Sequence, residues 1–167
     1  MNTRKTFLTF ILAGMLSVFA GAATAQTQSA LDHEPNQIVG SWLVTFTPDG
    51  APVPFRGLIT FTQGGGVIAS AQGDVLLDAP PGVPPVATAG HGAWVQTGRN
   101  IRFTFRQIFY NADGTYAGGA KISHKARLNG GATTWVGSLS VEYYDADDNV
   151  VFSGKGTETA VRIDAEP

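Results

Sequence analysis

The stretch IRFTFRQIF, residues 101–109, alternates apolar and polar side chains over most of its length. In an extended chain, successive side chains point to opposite faces, so the Ile and Phe residues at 101, 103, 105 and 109 share one face. Arg102, Thr104 and Arg106 share the other. This period of two predicts a β-strand with one packed face and one face in water, which is typical of antiparallel sheets.

Two later stretches repeat this period. KISHKARL, residues 121–128, and TTWVGSLSVEYY, residues 133–144, both place apolar side chains at every second position. The packed faces comprise Ile122, His124, Ala126 and Leu128 in the first stretch, and Trp135, Gly137, Leu139, Val141 and Tyr143 in the second. The last run, VVFSGKGTETAVRI, alternates poorly, and we expect a β-bulge near Gly154 or Gly156 to account for the slip.

Glycine, asparagine and aspartate separate the strand-like runs. The turn signals are QGGG at 63–66, TGRN at 97–100, NADG at 111–114, NGGA at 129–132 and DADDN at 145–149. The predicted strands cover residues 40–48, 55–63, 67–72, 92–97, 100–111, 115–129, 132–145 and 150–163. Such short turns join antiparallel neighbours, and closing the sheet removes its exposed edges. The sequence therefore predicts an all-β, eight-stranded antiparallel up-and-down β-barrel, with a β-sandwich as the alternative.

The first predicted strand begins with Gly40, Ser41 and Trp42, and the last ends near Arg162. A large indole two residues after a glycine suggests a packing device, and we expect Gly40 to let another backbone approach closely. The arrangement resembles the calycin superfamily of lipocalin-like barrels. The resemblance implies that Gly40 and Trp42 pack across the closed end of the barrel, with Arg162 lying over the indole. In shape alone, the predicted barrel is also similar to allene-oxide-cyclase-like barrels, some of which are cyclases.

The first 25 residues have the pattern of a secretory signal peptide. Arg4 and Lys5 precede an apolar stretch at 7–20, and Ala23-Thr24-Ala25 fits a small-residue cleavage site. We therefore expect export to the periplasm or the extracellular space, with no membrane span after cleavage. Residues 26–37 are polar and predict a flexible lead-in to a single domain at 38–167.

Composition narrows the range of partners. The formal net charge is −2, no run of basic residues occurs, and cysteine is absent. Nucleic acid is therefore not an expected partner, and the fold has to hold without disulfides. Three scattered histidines offer no zinc spacing, and DADDN lacks the glycine of a calcium loop. We expect neither a metal nor a cofactor, and the oligomeric state stays open.

Aromatic residues dominate the predicted inner face and are the candidate ligand contacts. An eight-stranded barrel has room either for its own side chains or for one small ligand. The same residues can therefore line a cavity for a hydrophobic molecule or fill a solid core. The candidates are Phe46, Phe61, Trp94, Phe103, Phe105, His124, Trp135 and Tyr143.

His124 is the most informative polar residue because its parity places it among inward apolar side chains. A buried imidazole needs a partner, and it can orient a ligand or transfer a proton near neutral pH. Glu158 and Tyr143 are candidate partners. The alternative is a core histidine bonded to a threonine or tyrosine of a neighbouring strand.

The longest connection, GDVLLDAPPGVPPVATAG at residues 73–90, combines prolines with apolar residues. Loops of this length are often functional. This one can act as a lid over the mouth of the barrel, or it can pack on the barrel wall.

Three hypotheses for function follow. The first is a secreted β-barrel protein that binds a small hydrophobic molecule in its interior without transforming it. The second is an enzyme, a cyclase or isomerase with His124 as the acid–base residue, tested by whether an inward carboxyl group reaches His124. The third is a structural module of the cell envelope, which predicts a filled core and a broad exposed apolar patch.

Overall fold

The computed structural model describes residues 37–50, 53–71 and 86–164. The predicted signal peptide, the lead-in up to residue 36 and residues 73–85 of the predicted lid lie outside the described residues. Within the described ranges the regular structure is entirely β-strand, and no helix there could span a membrane. The strands are β1 (Gly40–Pro48), β2 (Phe55–Phe61), β3 (Gly66–Ala71), β4 (Val86–Ala87), β5 (Gly90–Thr97), β6 (Asn100–Tyr110), β7 (Tyr116–Leu128), β8 (Thr134–Tyr144) and β9 (Val150–Arg162).

Eight of these strands close into an antiparallel barrel. Chain neighbours pair in the order β1, β2, β3, β5, β6, β7, β8 and β9, and β9 pairs with β1 to close the ring. The two-residue strand β4 pairs with the C-terminal end of β6, beyond the residues of β6 that pair with β5. The up-and-down barrel is thereby confirmed, and the sandwich is excluded.

The faces read from the sequence match the observed burial. On β6, Ile101, Phe103 and Phe105 are buried, whereas Arg102 and Arg106 are exposed. Each inward side chain is thus removed from water, which stabilises the fold by roughly 25 cal/mol for every Å² of apolar surface buried. This one-sided burial is the main force that holds the sheet curled.

The irregularity in the last hairpin lies elsewhere than expected. The register between β8 and β9 shifts at Tyr143/Tyr144, opposite Val150 and Phe152. The prediction of a bulge near Gly154 or Gly156 is therefore wrong. The later part of β9 alternates regularly but points small and charged residues inward, which hid its period from a search for apolar residues.

The closed end is built around Trp42 and Arg162, which face each other across β1 and β9. The guanidinium carbon lies 4.3 Å from the centre of the indole ring, and the guanidinium donates hydrogen bonds to the backbone carbonyls of Gln37, Val39 and Ala132. The indole N–H donates to the carbonyl of Ile38 at 2.8 Å. The last strand is thus bonded to the first at the point where the barrel is sealed.

Gly40 makes room for this arrangement. A Cβ at this position would lie 2.7 Å from Nη1 of Arg162, and φ is +129°. We expected a second backbone segment to approach Gly40, but the group that does so is the side chain of Arg162. A larger residue would displace the guanidinium from Trp42.

The interior is more tightly covered at the closed end than at the other. Trp42 and Trp135 are 0% and 1% exposed and meet edge to face, with centroids 6.3 Å apart. Several inward side chains towards the opposite end are only partly buried. These are Phe55, Ile122, Leu139, Val141 and Tyr143. That end, where β3 leads into the predicted lid, is the mouth of the barrel.

The five predicted hairpin turns each contain one residue with positive φ. Gly65, Gly98 and Gly114 fill this role in three of them. In NGGA and DADDN the left-handed residues are Ala132, with φ of 51°, and Asp148, with φ of 62°. An alanine in this conformation is strained because its Cβ crowds the following carbonyl.

We expect Ala132→Gly to raise the free energy of unfolding by about 0.5–1 kcal/mol. Relief of the left-handed strain outweighs the extra chain entropy of glycine in the unfolded state. Urea denaturation measures the change. Ala93→Gly, in the extended and exposed part of β5, is the control and should lower stability, because glycine has no strain to relieve there. A lower stability for Ala132→Gly would contradict this explanation.

Candidate functional site

A buried imidazole–carboxyl pair lies inside the barrel. Nδ1 of His124, on β7, and Oε2 of Glu158, on β9, are 2.8 Å apart, and both side chains are 0% exposed. Of the two candidate partners for His124, Glu158 and Tyr143, it is Glu158 that bonds to it. The alternatives, Tyr143 or a neighbouring threonine, do not bond to it.

The pair spans an intervening strand, and a glycine makes this possible. On β8, Gly137 lies directly opposite both Ala126 and Glu158. A Cβ at Gly137 would lie 2.9 Å from Oε1 of Glu158 and 2.7 Å from the carbonyl oxygen of Lys125. The missing side chain leaves the space through which the carboxyl group reaches the imidazole.

Aromatic rings surround the imidazole. The ring of His124 stacks on Phe103 with a centroid separation of 4.0 Å and an interplanar angle of 8°. Phe105 and Phe46 lie 5.3 Å and 6.3 Å away on other sides. These rings exclude water and lower the local dielectric, so every hydrogen bond of the pair matters more than it would at the surface.

Three buried polar atoms have no hydrogen-bond partner within the described part of the chain. They are Nε2 of His124, Oε1 of Glu158 and Nε1 of Trp135. A buried polar group without a partner costs about 1–3 kcal/mol, so native proteins nearly always satisfy such groups with protein, water or ligand. The interior thus offers unused hydrogen-bonding capacity amid apolar surface.

Burial raises the pKa of Glu158, and its hydrogen bond to His124 opposes this only in part. The charged carboxylate is disfavoured in the aromatic interior, so burial favours the protonated acid. A protonated Glu158 donates its hydrogen bond to Nδ1, and the hydrogen of the neutral imidazole then lies on Nε2, which is a donor. With an ionised Glu158 and a neutral imidazole, the ring hydrogen lies on Nδ1 and Nε2 is an acceptor.

The raised pKa of Glu158 predicts a pH dependence of stability. A carboxyl group with a raised folded-state pKa contributes stability below the ordinary glutamate pKa, and this contribution is lost as pH rises through the raised value. We expect the stability of the wild type relative to Glu158→Gln to fall as the pH rises above the ordinary glutamate pKa of about 4.3. Urea denaturation at several pH values measures this difference.

Glu142→Gln is a control with the opposite sign. Hydrogen bonds from Tyr144 and Lys121 lower the pKa of Glu142, so its contribution is lost as pH falls. Slopes of equal sign for the two variants would contradict the assignment of a raised pKa to Glu158.

Three predicted ligand contacts lie towards the closed end. Phe61 packs edge to face on Trp94 and Phe103, with centroids 6.0 Å and 5.0 Å away. The indole N–H of Trp94 donates to the carbonyl of Thr62. Trp135 contacts Trp42 and Phe103. Phe61, Trp94 and Trp135 therefore form the floor below the pair, whereas Phe46, Phe103 and Phe105 form its walls.

Tyr143 lies apart from the pair, at the mouth. It stacks on Phe109 at 5.9 Å and contacts Phe152 at 5.7 Å, and burial raises the pKa of its phenol. The candidate residues did not include Phe109, although its inward parity was visible in the sequence. The face on which Phe152 lies could not be read from the sequence, because the register shift separates this residue from the regular alternation later in β9.

The described residues contain no group of three or more metal-ligating side chains that could hold a metal ion. The chain is thus a closed, eight-stranded antiparallel β-barrel whose aromatic interior contains one imidazole–carboxyl pair. Comparison with protein-family models, with curated proteins and with solved structures found no match. Its function therefore has to be argued from its own geometry.

Proposed function

We propose that this protein is an exported, calycin-like barrel that binds a small, largely apolar molecule carrying an acceptor oxygen, such as a ketone. The observation that carries the proposal is the unpartnered Nε2 of His124, a buried nitrogen among aromatic rings that is a donor when Glu158 is protonated. A carbonyl oxygen on the ligand supplies the missing acceptor, and the carbon skeleton contacts Phe46, Phe103 and Phe105. The Nε1 of Trp135 is a second donor available to the same kind of ligand.

Matched pairs of probes test this proposal. Terpenoid ketones and the hydrocarbons of the same carbon skeleton are titrated into the protein, with tryptophan fluorescence and native mass spectrometry as readouts. We expect each ketone to bind about 3- to 10-fold more tightly than its hydrocarbon, the value of one net hydrogen bond. Equal affinities would overturn the requirement for an acceptor oxygen, and no binding of either would overturn the proposal.

The double variant His124→Phe/Glu158→Leu is the matched control for these titrations. Phenylalanine keeps a ring beside Phe103 but offers no donor, and leucine removes the carboxyl group that would otherwise lose its partner. We expect this variant to prefer the ketone less strongly than the wild type does, because only the Trp135 donor is left. A preference as large as that of the wild type would assign recognition to a group other than His124.

An acid–base enzyme, a cyclase or isomerase, is the second candidate. It is favoured by the hydrogen bond of 2.8 Å between His124 and Glu158, since an inward carboxyl group within reach of His124 was its requirement. Glu158 orients the imidazole through Nδ1 and leaves Nε2 free to exchange a proton with a bound molecule.

Deuterium uptake separates the enzyme from the binder. Unsaturated terpenoid ketones are incubated with the protein in D₂O and analysed by mass spectrometry. A proton-transfer enzyme introduces deuterium at carbon faster than the His124→Phe/Glu158→Leu variant does, whereas a binder leaves the rate unchanged. Equal rates with both proteins would remove the enzyme hypothesis for this class of molecule.

A structural module of the envelope is the third candidate, favoured by apolar residues on the outer wall. Leu43, Leu58 and Val161 lie side by side on β1, β2 and β9 and are 37%, 48% and 56% exposed. This hypothesis predicts self-association through that wall. Analytical ultracentrifugation of the wild type and of Leu43→Ser/Leu58→Ser tests it, and a wild-type monomer at high concentration would count against it.

A further inference from the structure

The outer wall formed by β6 and β7 concentrates positive charge. Arg102 and Arg106 point outward from β6, and Lys121, Lys125 and Arg127 point outward from β7. These five residues, the cationic strip, lie on two adjacent strands of a chain whose net charge is −2. In the sequence they alternate with inward side chains, so no basic run is visible until the hairpin brings them together.

The register places like charges directly opposite each other in the cationic strip. Arg102 faces Lys125, and Arg106 faces Lys121. Like charges in facing positions destabilise a sheet, so folding alone gives no reason for this pairing. One acidic group offsets it: Glu142 on β8 accepts a hydrogen bond from Lys121 at 3.1 Å. The other four cations form no salt bridge with a described residue.

The shape of the cationic strip suits a single extended chain. It is two strands wide, about 5 Å between strands, and Arg102 and Arg106 are about 13 Å apart along β6. Apart from Glu142 at one end of β8, uncharged outward residues flank it, with Ala93 and Val95 on β5 and Val136, Ser138 and Ser140 on β8. A narrow track of this kind matches a linear polyanion better than the broad plane of a membrane.

The groups between the cations favour a polysaccharide over a nucleic acid. Thr104 and Ser123 occupy the middle of the strip, and the Thr104 hydroxyl donates to that of Ser123 at 3.1 Å. Single-stranded nucleic acids bind largely by stacking bases on aromatic side chains, and the middle of the strip offers none. Hydroxyl groups and cations instead suit the hydroxyls and carboxylates of acidic sugars.

A surface cleft of about 430 Å³ adjoins the mouth end of the cationic strip. Its lining includes His91, Arg106, Tyr116 and Tyr144. The guanidinium of Arg106 lies 5.3 Å from the centre of the Tyr144 ring, and the Tyr116 hydroxyl bonds to Asp148 at 3.3 Å. The cleft thus combines one cation and one carboxylate, that of Asp148, with two aromatic rings. The rings supply an apolar surface for one sugar ring.

We infer that the cationic strip and this cleft bind a linear acidic polysaccharide, with carboxylates along Arg102, Lys125 and their neighbours and one sugar ring in the cleft. This site lies on the outer wall and is independent of the interior. Its occupant is defined by charge complementarity: a negative, unbranched chain one sugar wide.

Polygalacturonate, a linear polyuronate, is the probe. Binding to the purified protein is measured by affinity electrophoresis and calorimetry over a range of salt concentrations, with neutral dextran as the comparison. We expect Arg102→Ser/Lys125→Ser to weaken binding by about 10-fold or more at low salt and to flatten its salt dependence. Arg56→Ser/Lys155→Ser, which removes two exposed cations on other walls, should change affinity less than about 2-fold.

Folding is checked by thermal unfolding, and the strip variant should be no less stable than the wild type because repulsion between Arg102 and Lys125 is removed. Equal loss of binding in both double variants would show general electrostatic attraction and overturn the proposal. Tighter binding to oligo-dT or to phosphatidylglycerol vesicles than to polygalacturonate would overturn the choice of a polysaccharide. Absence of binding to polygalacturonate would overturn the site itself.

Discussion

Trp42→Ala is expected to lower the free energy of unfolding by about 3–5 kcal/mol, the range for removing a large buried aromatic side chain. Trp42 is 0% exposed and contacts Trp135. Its loss leaves a cavity at the closed end and also removes the surface on which the Arg162 guanidinium lies. Urea denaturation monitored by circular dichroism measures the change.

A mutant cycle of Trp42→Phe and Arg162→Met separates the volume of the indole from its contact with the guanidinium. Phenylalanine retains much of the apolar surface, and methionine retains an unbranched stem. We expect a coupling free energy of about 0.5–2 kcal/mol between the two sites. A coupling near zero, together with a small effect of Trp42→Ala, would mean that this pair does not seal the barrel.

Most of the fold could be predicted because its information is local. The period of two in residues 101–109 identified the inward face of β6, and each glycine or asparagine turn lay between two strands that pair. Closure was a longer inference, since it rests on β1 and β9 meeting across the whole chain. The contact of Trp42 with Arg162 was expected only from a resemblance, and the register of β1 with β9 explains it physically.

The candidate site could be predicted only in part because it depends on register. Parity placed His124 in the interior, but the sequence left Glu158 and Tyr143 as equal candidates for its partner. The choice depends on how β7, β8 and β9 align and on the space left by Gly137. A glutamate can be assigned to the inner face only when the alternation of its strand is known. Because the apolar alternation of β9 is weak, the sequence did not show that Glu158 points inward.

The unpartnered atoms were also beyond sequence reasoning. Whether Nε2 of His124 and Nε1 of Trp135 find hydrogen-bond partners depends on small distances between side chains on different strands. Likewise, the complete cationic strip follows from the pairing of β6 with β7, since each strand alone carries only two or three of the five cations. Pairing converts two alternating patterns into one charged surface.

His124→Phe is expected to lower the free energy of unfolding at neutral pH by about 3 kcal/mol, the upper end of the range for leaving a buried polar group without its hydrogen-bond partner. Phenylalanine keeps a ring stacked near Phe103, so lost packing contributes little. The cost arises because Glu158, which is 2% exposed, loses its hydrogen bond while remaining in an aromatic interior.

The double variant His124→Phe/Glu158→Leu should regain most of this loss and lie within about 1 kcal/mol of the wild type, because apolar residues replace both polar partners. Both proteins are compared by urea denaturation at the same pH. If the double variant is as unstable as His124→Phe, the damage comes from the shape of the substituted ring and not from the stranded carboxyl group. Recovery, in contrast, means that the barrel retains a polar pair its stability does not require, which is the behaviour expected of a group kept for binding or proton transfer.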